Sequence, residues 1–127
     1  MKKFMQVFLS LFLLAGCSAP IDNGYRQISM DEAFTLMEEE SGYILVDVRT
    51  PEEYRDAYIP GAINLPNEDI RSRRPTELPD LDQLILVYCR SGNRSKQASE
   101  KLVSLGYTNI VEIGGIQDWP GETVLGD

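Results

Sequence analysis

The run Leu84-Ile85-Leu86-Val87-Tyr88-Cys89-Arg90-Ser91-Gly92-Asn93-Arg94-Ser95 passes from apolar to polar at a single cysteine. The apolar half predicts a strand covered on both faces. Gly92 and its polar neighbours predict a short loop. Arg94 to Leu105 then reads as a helix, with Ala98, Leu102, Val103 and Leu105 apolar and Gly106 as its stop. Cys89 thus lies between a strand end and a helix N-terminus, over converging backbone N–H groups and beside Arg90 and Arg94. Each feature favours thiolate over thiol, and the thiolate is the reactive form. The same cradle suits an anionic substrate.

The flanking sequence repeats the strand–helix alternation. Ser29 and Glu32 form a capping box for a helix carrying Ala33, Phe34, Leu36 and Met37, with Gly42 as its stop. Tyr43 to Val48 is a buried strand. Thr50-Pro51-Glu52-Glu53 opens a second helix with a cap, a first-position proline and a second box. Ile59-Pro60-Gly61 makes a turn, and Ala62 to Leu65 a short strand that Pro66 ends. Asn67 to Arg74 reads as a weak helix and Pro75 to Asp80 as irregular. Ile110 to Ile113 is a last strand, Gly114-Gly115 a sharp turn, and Gln117 to Trp119 a helical turn. This order predicts an α/β fold with a parallel sheet and helices on both faces. Ligands in such sheets bind beyond the carboxyl ends of the strands. Cys89 is at one such end and Asp47 near another, where Asp47 is expected to anchor the adjoining loop and support the pocket. Arg49 is expected to pair with Glu52 or Glu53, Tyr88 to face the opposite side of the sheet, and Trp119 to pack in the core or at its rim.

Composition narrows the chemistry. The 127 residues carry a net charge of −8, with 43% hydrophobic and 25% charged residues, as in one soluble domain. The acidic balance argues against nucleic acid, and Arg71, Arg73 and Arg74 read as a solvated loop. Histidine is absent. That removes Ser–His–Asp and Cys–His catalysis and histidine-ligated metal sites. Two cysteines are too few for a thiolate zinc cage. No metal and no cofactor are expected, and Cys89 must be activated without imidazole.

The N-terminus reads as an address. Met1-Lys2-Lys3 is basic, and Phe4 to Ala15 is apolar but too short to span a bilayer. Leu14-Ala15-Gly16-Cys17 resembles the lipobox of bacterial lipoproteins. That resemblance implies a signal peptide over residues 1–16, lipid on Cys17, a lipidated N-terminus and tether over residues 17–26, and a folded domain over residues 27–127. It places the protein in the cell envelope, anchored to membrane through Cys17. Ser18 in place of aspartate implies the outer membrane, facing the periplasm, in a host that has one. Cys89 would then be the one remaining thiol.

Four stretches resemble the single-domain rhodaneses: Leu45-Val46-Asp47-Val48-Arg49, Ile59-Pro60-Gly61-Ala62-Ile63-Asn64-Leu65-Pro66, Cys89 to Ser95, and Gly114-Gly115-Ile116 with Trp119. The resemblance covers Ser29 to Gly121. It implies a parallel five-stranded sheet flanked by helices, and a cysteine that takes sulfane sulfur as a persulfide. A small donor such as thiosulfate and a cyanide or thiol acceptor are the implied partners. Arg90, Ser91, Gly92, Asn93, Arg94 and Ser95 would bind substrate, the two arginines offsetting its charge and the polar side chains donating bonds or capping the helix. Tyr58 departs from the pattern, since many members have histidine before Ile-Pro-Gly. Rhodanese-fold phosphatases place five residues between cysteine and arginine. Four, Arg90 to Asn93, stand here, and the tighter ring suits one sulfur atom better than phosphate or arsenate. A further alternative is a membrane-anchored sulfur relay or docking module that hands persulfide to a protein acceptor with little thiosulfate turnover.

Overall fold

The computed structural model describes residues 19–126. The expected signal segment and Cys17 lie outside the described residues. Strands β1 (Ile21–Asp22) and β2 (Tyr25–Gln27) precede helix α1 (Met30–Glu39). Strand β3 (Ile44–Asp47), helix α2 (Pro51–Asp56) and strand β4 (Ile63–Asn64) follow. Strand β5 (Ile85–Cys89), helix α3 (Asn93–Ser104) and strand β6 (Ile110–Gly115) complete the domain. The sheet has six strands in the order β1-β2-β6-β5-β3-β4. Five are parallel, as the family resemblance implied, and β1 adds an antiparallel edge. The segment read as a tether is therefore strand from Ile21 onward. Its polar residues carry no strand pattern of their own, and β2 is fixed by its ladder to β6, with Arg26 opposite Val111.

Both expected capping boxes are formed. The Ser29 and Thr50 hydroxyls accept from the N–H groups of Glu32 and Glu53, whose carboxylates accept from the cap N–H in return. Such a cap contributes about 1 kcal/mol. Helix α1 ends at Glu39, three residues before Gly42, and the expected helix over 67–74 is a single 3₁₀ turn at Asn67–Asp69. Alternation along β5 divides the core. Ile85, Val87 and Cys89 face α3, packing with Ala98 and Leu102. Leu86 and Tyr88 face the other layer, with Met30, Ala33 and Leu36 of α1. Tyr88 thus takes the predicted face. Among the described residues no helix is long and apolar enough to cross a membrane.

The Gly114-Gly115 pair does not end the last strand. β6 continues through it, because the ladder to β5 shifts register between Val87 and Tyr88. Glu112 lies opposite Val87, whereas Gly114 lies opposite Tyr88 and Gly115 opposite Cys89. The added residue is a β-bulge, and Gly114 takes the left-handed φ of +95° that it requires.

Candidate active site

Cys89 ends β5 as a buried free thiol. The chain turns at once over Gly115. A Cβ at that position would stand 2.0 Å from the Arg90 carbonyl oxygen, so the loop rests on a surface only glycine provides. Gly92 is the N-cap of α3 with φ +111°, a left-handed conformation that glycine adopts without strain. The Gly92 N–H donates to Cys89 Sγ at 3.0 Å. Among the described residues no side chain caps α3; of the two roles expected of Ser91, Asn93 and Ser95, donating or capping, Ser95 takes the first. The first-turn N–H groups of α3 therefore remain open beside the sulfur, an arrangement suited to an anion. The twelve-residue helix begins at Asn93, one residue before the predicted start.

Ser95 is fully buried, with its hydroxyl 3.4 Å from Cys89 Sγ. The same Oγ lies 3.0 Å from the Gly92 carbonyl oxygen and within hydrogen-bond reach of Glu112 Oε2. Ser91 and Asn93 are exposed.

The two arginines are placed differently from one another. Arg94 donates from Nη1 and Nη2 to the Glu53 carboxylate, at 2.7 and 3.0 Å. Glu53 also accepts the Thr50 N–H, so one side chain completes a helix cap and grips the loop. Arg94 together with the Thr50 bonds holds the Glu53 carboxyl down at about 2. Arg94 is thus a paired cation. Arg90 is exposed and lines a cleft of about 290 Å³ with Gln117, Ile116, Glu53, Asp56, Ala57 and Arg49.

Arg49 corrects an expectation. It is buried and forks onto Asp47, 2.7 Å from Nη2 to Oδ2, rather than pairing with Glu52 or Glu53. Burial alone would lower the guanidinium's pKa, and its bonds to Asp47 more than reverse this. Asp47 also accepts the Arg49 N–H at 2.9 Å and the Tyr88 hydroxyl at 2.8 Å. Burial, reinforced by this carboxylate, pushes the Tyr88 phenol far above its ordinary value. Asp47 therefore anchors the loop after β3, as predicted. Trp119 stacks edge-on against Phe34, with centroids 5.2 Å apart.

A family model for the rhodanese-like domain matches residues 29–122. The chain belongs to the rhodanese-like family. It is 41% identical over 73 residues to the thiosulfate sulfurtransferase PspE of Escherichia coli K12, covering 58% of this chain and 70% of the relative. It is 36% identical over 108 residues to the thiosulfate sulfurtransferase GlpE of Pseudomonas entomophila, covering 81% of this chain and 95% of the relative. A solved structure described as rhodanese with anions from E. coli superposes with a TM-score of 0.61 at 38% identity. That alignment covers 66% of this chain and 99% of the other.

Within this rhodanese-like site, the structure gathers Cys89, Gly92 and Ser95 around the sulfur and leaves Ser91 and Asn93 at the surface. The sequence reading passed over three residues. Glu112 was detectable as a lone carboxylate inside an apolar strand. Gly115 was taken for a turn. Glu53 reads locally as a cap and a candidate partner of Arg49, since nothing local reveals a partner 41 residues away.

Proposed function

We propose that this protein is a rhodanese-type sulfurtransferase that carries sulfane sulfur on Cys89. The Cys89 thiolate attacks the outer sulfur of thiosulfate. A new S–S bond forms, the old one breaks, and sulfite leaves with the bonding pair. Cyanide or a thiolate then attacks the terminal sulfur and regenerates the thiolate. The transferred atom moves as sulfane sulfur in both steps with no electrons gained or lost overall, so no redox partner is needed. The observation that carries this reading is the free, buried thiol that accepts the Gly92 N–H beneath an uncapped helix N-terminus. Those N–H groups suit the terminal sulfur of a persulfide or the oxygens of departing sulfite. The names of the similar proteins from E. coli and P. entomophila support thiosulfate as donor.

Mass spectrometry after thiosulfate treatment tests the reading. Wild type is expected to gain one sulfur atom, removable by cyanide with release of thiocyanate. Cys89→Ser is expected to gain none and to lose turnover entirely. Transfer surviving in that variant would refute the assignment. A persulfide that forms without steady-state turnover would point to the relay alternative.

A further inference from the structure

Glu112 is almost fully buried, in the layer between β6 and α3. Among the described residues it forms no ion pair. A buried carboxylate without a cation costs several kcal/mol unless hydrogen bonds satisfy it. Three donors reach it here. Gln27 Nε2 donates to Oε1 at 3.1 Å, the Gly114 N–H donates to Oε2 at 3.0 Å, and the Ser95 hydroxyl also reaches Oε2. The first two fix its orientation. The third joins it to the thiol, because the same Ser95 Oγ lies 3.4 Å from Cys89 Sγ.

We propose that Glu112 is a positioning residue that takes up the Cys89 proton through Ser95. The chain of bonds has two balanced arrangements. In one, Cys89 S–H donates to Ser95 Oγ, and Ser95 O–H donates to the Glu112 carboxylate. In the other, the Ser95 proton has passed to Glu112 as the thiol proton passed to Ser95, leaving a thiolate that accepts from Ser95. Two protons shift, no electrons change hands, and the net charge stays the same. Burial therefore penalises the exchange far less than loss of the proton to solvent. In a chain without histidine, this supplies the internal base that the thiol otherwise lacks. The inference deepens the sulfur-transfer reading and rests on it for its use. Other charged groups nearby are accounted for. Cys89 acts on Arg94, but Arg94 is bound to Glu53. Asp47 acts on Arg94 from β3 and is itself bound to Arg49. Tyr25 of β2 faces Glu112 and Glu100, and burial with both carboxylates holds its phenol protonated.

The pH profile of Cys89 alkylation by iodoacetamide, an uncharged probe needing no sulfur donor, decides the matter. Glu112→Gln is expected to move the midpoint upward and slow alkylation at neutral pH about tenfold, the effect of one unit. Ser95→Ala should do the same, Ser95→Thr should retain the wild-type profile, and the double variant should be no slower than Ser95→Ala. A downward shift in Glu112→Gln would mean that the carboxylate merely repels the thiolate, and no shift that it is structural. Either overturns the proposal. Should Glu112→Gln fail to fold, an unchanged profile in Ser95→Ala overturns it equally. Persulfide formation by the wild type is scored separately, so the sulfur-transfer reading and the relay fail independently.

Discussion

Two buried carboxylates lie on the strands that flank β5 and have different partners. Asp47, at the end of β3, is held by the Arg49 fork and the Tyr88 hydroxyl. Glu112, on β6 and facing α3, is held by an amide side chain, a backbone N–H and a serine hydroxyl. The ion pair leaves Asp47 no reason to exchange a proton, and its bonds fix the loop after β3. The neutral partners of Glu112 hold it in place but leave its charge uncompensated, one hydroxyl away from a reactive sulfur. Burial alone therefore does not mark a functional carboxylate; the charge of its partners does.

Asp47→Asn gives the largest expected effect on stability. It strands a buried guanidinium and should cost about 3–5 kcal/mol, read by chemical denaturation. Glu112→Gln keeps most of its bonds and should cost at most about 1–2 kcal/mol. Equal losses would break the contrast. Gly115→Ala comes next. Its methyl group collides with the Arg90 carbonyl, so the loop must lift away from the Ser95–Glu112 pair. Turnover should fall about a hundredfold while far-UV circular dichroism stays native. Full activity would show that the loop tolerates displacement. Glu53, paired like Asp47 but about a quarter exposed (28%), sharpens the comparison at its weak end. Its pKa is lowered from 4.5 to about 2, so its stabilisation is present above pH 4.5 and lost as pH falls toward 2. Solvent screening keeps that contribution below about 1 kcal/mol. Thermal unfolding of wild type and Glu53→Gln should differ slightly at neutral pH and converge in acid. A gap that persists near pH 2 would contradict the pairing.

Local signals were readable in the chain. Ser29 with Glu32 and Thr50 with Glu53 announced their helices, since a capping box is complete within four residues. Cys89 and Gly92 announced the loop, since its curvature needs glycine wherever the rest of the chain goes. What stayed hidden depends on distant partners. The β1–β2 edge exists because β6 offers a ladder to polar residues that would otherwise stay extended. Arg94 looked available until α2 brought Glu53 to it. Glu112 stood in plain view as a charge among Ile110, Val111 and Ile113. Its meaning depended on which face it took and what α3 placed there.

The bulge in β6 also limits how this segment can vary in length. Side chains alternate along a strand, so any change by one residue ahead of the glycine pair reverses the side on which an acid emerges. The extra residue lets two incompatible phases coexist: one aims the acid at the helix, the next slides a bare backbone under the loop. A single-codon deletion between 110 and 114 would satisfy one phase only by forfeiting the other.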